Sequence, residues 1–551
     1  MGAPARTRGT AAVSPSPGGS FPRVCRMTAT LQRAEATSEP SRGGWRTRIL
    51  PPTDGRGGWI ATLAVALLAG VLRVVRLDIP RGRIFDEIYY ACDAQNLLRY
   101  GVEAGSLPTD GDNPSPPCTP SGEAGFIVHP PLGKWAIALG MRVFGVNEFG
   151  WRIAAAVAGT LMVVLLIRVT RRMTGSTVLA CLAGLLLTLD GLHFVQSRVA
   201  MLDIFLAAWV LAAFACLVAD RDAVRRRLAV TDDDDLAGWG PSLGWRPWRL
   251  AAGVCLGAAL ATKWSALYYV AVLILLAFFW EVGARRLAGI SSPLRATAYR
   301  SAAPLLAVLV VLPAFVYVVS WFGWFASSTA DQLAWDRNWA EGNPASGLAG
   351  LVPDGLRSWW HYHVAQFNFH DELRQKHPYQ SHPAGWLLLA RPVSYYYPAG
   401  VGAGDYGCEV ESCSREVLAI GTPAIWWIML VVLPLLAWLW LAKRDWRPAA
   451  VLVMVLTAIV PWIRDDLDGR TMFLFYALPA VPFMCLGLAL VAGWAYGGAA
   501  ATARRRTAAA MGVGAYLAVV VVNFAYLYPV LAAQTLPYDA WRARMWFTSW
   551  I

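Results

Sequence analysis

The densest cluster of reactive side chains is Phe85-Asp86-Glu87-Ile88-Tyr89-Tyr90. Its two adjacent carboxylates follow closely on an apolar run. A carboxylate beside a low-dielectric medium must be paired or used; alone, the pair would read as a solvated loop start. His129-Pro130-Pro131-Leu132-Gly133-Lys134-Trp135 sets a histidine and a lysine on either side of a stiff diproline. Lys134 could hold an anion at headgroup level or simply snorkel. Thr262-Lys263-Trp264 places a second lysine at an apolar boundary. Only four of the 48 basic residues are lysine (Lys134, Lys263, Lys376 and Lys443), which hints that a compact ammonium is preferred at the first two sites. Arg73 and Arg76 end the first apolar run and Arg152 opens the second. Arg198 lies in Gln196-Ser197-Arg198, just before Leu202-Asp203, and Arg464 and Arg470 flank a late run. Cations gathered at such boundaries suit a held anion, most simply a lipid phosphate, although some could only balance Asp190, Asp203 or Asp465. Trp359-Trp360-His361-Tyr362-His363, followed by Asn368-Phe369-His370, could offer metal ligands; an aromatic interfacial helix lining a groove is the expected form. No CxxC or His/Cys spacing suggests zinc.

The elements that must position these residues follow from composition. The chain has 551 residues, 56% hydrophobic and 15% charged, with 27 tryptophans. A water-soluble fold cannot hide that much apolar surface, so soluble enzymes, coiled coils and disordered proteins are excluded. The net charge of +12 belongs on cytoplasmic loops rather than on nucleic acid. Residues 1–57, polar and rich in Arg, Ser, Pro and Gly, read as a disordered cytoplasmic tail, within which Met27 is an alternative start. Apolar runs long enough to span a bilayer lie near 59–77, 150–170, 176–194, 200–219, 249–264, 266–281, 301–322, 422–442, 448–463, 471–495 and 508–530. The expectation is an all-α polytopic membrane protein of about eleven transmembrane helices. The two runs within 249–281 are short and could form one re-entrant hairpin. Leu132–Phe144 is also apolar but too short to cross, and is read as an interfacial helix.

The charge map supports that reading. With the N-terminus inside, Arg171-Arg172, Arg225-Arg226-Arg227, Arg285-Arg286, Lys443-Arg444 and Arg504-Arg505-Arg506 all fall in cytoplasmic loops. Counting Leu132–Phe144 as a span would put the first two clusters outside. Two long loops, 78–149 and 323–421, then lie outside, as does a C-terminal tail at 531–551. Chemistry is expected on that outer face. An outer face permits disulfides. Cys408 and Cys413, five apart, are candidates to bridge; Cys92 and Cys118 share the first outer loop, and their pairing is left open.

Taken in order, Phe85-Asp86-Glu87, His129-Pro130-Pro131-Leu132-Gly133-Lys134, Gly150-Trp151-Arg152, Gln196-Ser197-Arg198 with Leu202-Asp203, Thr262-Lys263-Trp264 and Phe475-Tyr476-Ala477-Leu478-Pro479 resemble the protein O-mannosyltransferase family, in its actinobacterial branch. The resemblance covers about 58–530. It implies a GT-C glycosyltransferase fold, a plasma-membrane location, a polyprenyl-phosphate-mannose donor and a Ser or Thr acceptor on a polypeptide crossing the membrane. The 323–421 loop is too short for the β-trefoil insert of the fungal and animal members. By resemblance Asp86 is the base, supported by Glu87. Arg73, Arg152, Arg198 and Lys263 are the candidate phosphate cations. His129, Lys134, Asp203, His361, His363 and Tyr476 would line the substrate groove. No cofactor is required for a phosphate leaving group, and a divalent cation is left open. No Gly-rich nucleotide loop is present. Transfer to a lipid or cell-wall glycan is the nearest alternative. A transporter would show internal repeats and mid-span ionisable groups, which this sequence lacks.

Overall fold

The apolar runs fold as helices because each offers a bilayer-length stretch in which every backbone group can bond within its own segment. The computed structural model describes Gly2 and residues 55–107, 118–125, 128–498 and 500–551. The expected cytoplasmic tail lies almost wholly outside the described residues.

Among the described residues, nine helical segments are long and apolar enough to cross a membrane. The expected third and fifth spans are shorter helices, Thr177–Thr188 and Pro247–Leu260. In chain order the elements that carry the site are α1 (Arg56–Val74), α2 (Glu87–Tyr100), α3 (Leu132–Phe144), α4 (Glu148–Thr174), α5 (Thr177–Thr188), α6 (Gly191–Gln196), α7 (Asp203–Ala229), α8 (Pro247–Leu260) and α9 (Ala266–Leu287). Polar side chains mark their starts: Asn147, Ser176 and Asp190 accept from the backbone N–H groups of Gly150, Leu179 and His193. The span at Leu474–Tyr496 is 89% buried along its apolar window and α7 72%, which makes them the centre of the bundle. Pro293–Ser320 and Ala503–Leu531, at 17% and 11%, turn most of their surface outward.

The short α3 packs between α2 and α4, a place consistent with its reading as an interfacial helix. The first long loop is closed by a Cys92–Cys118 disulfide and a two-stranded sheet, β1 (Ala104–Ser106) with β2 (Pro120–Ala124). In the second, Cys408 and Cys413 are bridged. Strand β3 (Val393–Tyr396) pairs with β5 (Val417–Ala419), and β4 (Cys413–Arg415) pairs with β6 (Thr535–Pro537). That last pairing changes the status of the C-terminus. Residues 531–551 are not a loose tail. Trp541 Nε1 donates to Glu416 at 2.6 Å, and Trp550 Nε1 donates to the Leu389 carbonyl at 2.8 Å, so the segment is sewn onto the second loop.

Candidate active site

Asp86 stands where the chain leaves α1 and enters α2. The link is stiff. Arg76 and Phe85 adopt the left-handed backbone region, at φ 55° and 48°, which disfavours ordinary side chains. The Phe85 ring is held there by stacking on Tyr395, centroids 4.5 Å apart, with Phe475 edge-on at 5.9 Å. Asp86 is half-buried and, among the described residues, its carboxylate has no hydrogen-bond or ion-pair partner. Burial pushes it up to about 6; the Lys263 ammonium opposes that rise and the Asp203 carboxylate adds to it.

Glu87, one residue on, is fully buried and saturated. Its carboxylate accepts from Arg152 Nε (2.8 Å) and Nη2 (2.7 Å) and from the backbone N–H groups of Ile84 (3.0 Å) and Ala200 (2.9 Å). It is a fastener for the Asp86 loop, not a group open to substrate.

The same geometry corrects three of the four expected phosphate cations. Arg152 gives its remaining donors to the carbonyls of Leu77 (3.2 Å), Pro80 (2.8 Å) and Gly82 (2.9 Å), so all five guanidinium N–H groups are engaged. Arg198 reaches across to the end of α1 and donates to the carbonyls of Leu72, Arg73, Val75 and Arg76 at 2.7–3.1 Å. Arg73, wholly buried, donates to Ala69 O at 3.0 Å and faces His193 Nδ1 at 2.8 Å. Gly159 lets the turn after α6 pack closely on α4 beside Arg73: a Cβ there would collide with the Ser197 hydroxyl. These arginines stabilise the end of α1 and the turns that follow it.

Lys263 is different. It lies between α8 and α9, and its Nζ is 2.9 and 3.1 Å from the two Asp203 oxygens. It also stands over the Tyr476 ring at 4.6 Å and the Phe475 ring at 5.9 Å. Burial works against its charge, but Asp203, Tyr476 and Asp86 outweigh it, so the ammonium titrates above the ordinary lysine value. Around this pair the structure gathers Tyr90, Tyr395, His129 and His370. Gln196 Nε2 donates to the Tyr395 hydroxyl at 2.7 Å. His129 stacks on His370 at 5.1 Å, with Tyr90 6.2 Å away. Burial, then the charge of Lys263, drives His129 well below the usual imidazole value. Burial also brings His370 down to about 4. Both rings are neutral at physiological pH, able to donate or accept at a sugar hydroxyl.

The remaining expected groove residues divide. His363 bonds the Tyr317 hydroxyl at 2.7 Å, which also accepts from Trp264 Nε1 at 2.9 Å, so it braces the residue after Lys263. His361 lies apart, stacked between Trp335 (5.5 Å) and Trp339 (4.2 Å) and 3.2 Å from Asp336. Lys134 is not free to hold an anion or to snorkel: its Nζ is buried 2.9 Å from both Asp93 and Glu103. Neither of these two joins the Lys263 cluster. In the sequence Arg470 counts among the boundary cations suited to a lipid phosphate and His370 among conceivable metal ligands on an interfacial helix, but neither is named as a site residue. Arg470 Nε donates to His370 O at 3.0 Å, and its buried Nη1 makes no hydrogen bond among the described residues, lying 4.0 Å from Asp465. His370 Nδ1 is buried and unpartnered on the same terms. His370 Nε2 donates to the Val128 carbonyl at 2.7 Å, so Nδ1 of this neutral ring is a free acceptor suited to a sugar hydroxyl, while the unused Arg470 donor suits a phosphate.

Comparison with known proteins gives the family and the fold. The profile described as dolichyl-phosphate-mannose-protein mannosyltransferase matches residues 63–323, and that described as the C-terminal four-span region of protein-O-mannosyltransferase matches 355–550. The polyprenol-phosphate-mannose–protein mannosyltransferase of Mycobacterium tuberculosis is 39% identical over 515 residues, covering 91% of this chain and 93% of that one. Its Corynebacterium glutamicum counterpart is 34% identical over 518 residues, covering 91% and 96%. The S. cerevisiae protein O-mannosyltransferase Pmt1–Pmt2 complex, solved with its sugar donor, superposes with a TM-score of 0.66 at 15% identity over 91% of this chain and 93% of that one, which gives the GT-C fold. With both halves of the profile matched and close relatives aligned over nine-tenths of its length, the chain belongs to the dolichyl-phosphate-mannose–protein mannosyltransferase family.

Proposed function

We propose that this multi-pass membrane enzyme transfers mannose from a polyprenyl-phosphate-mannose donor to Ser or Thr hydroxyls of polypeptides at the outer face of the plasma membrane. The observation that carries the reading is the unpartnered, half-buried Asp86 beside the buried Lys263–Asp203 pair. A serine hydroxyl is a poor nucleophile and must lose its proton as it attacks. Asp86, raised toward neutrality yet ionised at pH 7, is suited to take it. The acceptor oxygen bonds to the anomeric carbon as the bond from that carbon to the phosphate oxygen breaks. One displacement inverts the centre. The lipid phosphate leaves with added negative charge, which Lys263 and Arg470 are placed to stabilise. Asp203 fixes the Lys263 ammonium, and Tyr90, Tyr395, Tyr476, His129 and His370 supply the sugar-facing polar wall. Orientation follows from the basic loops at the opposite end of the bundle.

The test is transfer of labelled mannose from a polyprenyl phosphate to a Ser/Thr-rich peptide by the purified enzyme, with the anomeric configuration read by NMR. An inverted mannosyl-peptide is expected. Labelled lipid or glycan in its place would overturn the acceptor assignment, and retained configuration would overturn the single displacement.

A further inference from the structure

A large cavity lies away from Asp86. It lies at the other end of the bundle, where Ala61 of α1, the α4–α5 turn and the helix ends near Lys443, Tyr496 and Arg505 enclose about 1210 Å³. Its body is apolar, walled by Leu182, Leu185, Leu439 and Leu517, and the last span widens it by presenting Ala510 and Gly514. The mouth is basic. Its one acid, Asp445, is taken by Arg447, whose Nε and Nη2 lie 2.6–3.0 Å from the carboxylate. Lys443 is exposed and has no carboxylate partner among the described residues. Arg505 gives Nε and Nη2 to the carbonyls of Ala495 and Trp494, at 3.0 and 2.8 Å, and its Nη1 makes no hydrogen bond among the described residues.

An apolar chamber within the spans, capped by Lys443 and the remaining donor of Arg505, is complementary to an amphiphile with an anionic head. The donor is excluded from this role by distance. The 19 residues of α1 separate the two ends by about 28 Å, so a phosphate held at Lys443 cannot present its sugar to Asp86. The span Ala503–Leu531 is only 11% buried against protein, so a bound lipid would supply much of its packing. We infer that this cavity binds an anionic phospholipid of the cytoplasmic leaflet, its phosphate between Lys443 and Arg505 and its acyl chains between α5 and the last two spans.

The test is native mass spectrometry and thermal melting of the delipidated full-length enzyme with phosphatidylglycerol or phosphatidylcholine of matched chains. Phosphatidylglycerol should stay bound and raise the melting temperature; phosphatidylcholine should do neither. Lys443→Glu should weaken phosphatidylglycerol at least about tenfold, the worth of one charge-assisted hydrogen bond. Gly514→Leu, which fills the chamber with the cations intact, should weaken it too. Mannose transfer under saturating donor should persist in both variants. Equal retention of the two lipids, unchanged retention in both variants, displacement by polyprenyl phosphate, or a dimer that excludes lipid would each overturn the inference.

Discussion

Asp86→Asn and Glu87→Gln remove one charge each from adjacent positions, and should fail in different ways. Asp86 has no partner to lose. Its rise from 3.8 to about 6 means that ionisation at neutral pH costs the folded state at most roughly 3 kcal/mol, less after allowance for its contact with solvent. The sign is that of a raised acid: the penalty is present above about pH 6 and fades as pH falls toward the unfolded value. Asn removes it, so the melting temperature should hold or rise, while transfer should fall by roughly 10²–10⁴ with the loss of the base. Glu87 accepts four hydrogen bonds, two from a fully buried guanidinium. Breaking a buried pair of that kind typically costs about 3–5 kcal/mol, so Glu87→Gln should lower the yield and melting temperature of folded enzyme. The assay is a melt and a kcat measurement on both variants in nanodiscs. Wild-type kcat/KM should fall as pH drops through about 6, and Asp86→Asn should lack that limb. An Asp86→Asn enzyme that transfers at near wild-type rate, or that melts as low as Glu87→Gln, would refute the reasoning.

Three further outcomes follow from the same geometry. Lys263→Ala should raise the donor KM by roughly tenfold to a hundredfold, and Arg470→Ala by roughly tenfold; an unchanged KM would remove either residue from the phosphate site. Arg152→Ala should deplete folded protein yet leave the donor KM of the surviving fraction unchanged, and a raised KM with full folding would return Arg152 to the phosphate. The cysteines of both pairs, Cys92 with Cys118 and Cys408 with Cys413, should resist alkylation until reductant is added, and labelling of native membranes without it would reject the bridges.

The helical framework was legible because the bilayer imposes it: a run of apolar residues near twenty long has few other fates. The charge pattern favoured reading α3 as interfacial, and its 13 residues fit that reading. The two short helices, α5 and α8, were harder, since their lengths alone do not say whether they cross. In the site, Asp86, Asp203 and Lys263 could be named because acids and a rare lysine at apolar boundaries are visible in a string of letters, whereas Tyr476 came only with the family resemblance. Which cations keep a free valence was not visible. A guanidinium is neutralised as well by carbonyls as by acids, and every residue carries a carbonyl; the partners of Arg198 include Leu72 O, 126 positions earlier. Scarcity misled in the same way at Lys134, whose acids Asp93 and Glu103 lie in α2 and just beyond it, 41 and 31 positions earlier, with no local spacing signal. Arg470 gives Nε to the carbonyl of His370, 100 positions away, and keeps Nη1 unused, a division no local spacing announces.

The arginines that gather the carbonyls of residues 72–82 also bear on what the bilayer can do to the enzyme. Helix α1 is only 28% buried along its apolar window, so most of it meets lipid and will tilt as membrane thickness changes. Arg152 and Arg198, rooted in α4 and in the turn before α7, clamp the chain downstream of Leu72 to the interior of the bundle. Mechanically, Asp86 rides on that interior and not on α1. Tilt is absorbed upstream of the clamp, as a gimbal isolates an instrument from its mount. The reaction centre should therefore keep its geometry in thin and thick membranes alike, leaving the lipid chain of the donor as the part that must accommodate the difference.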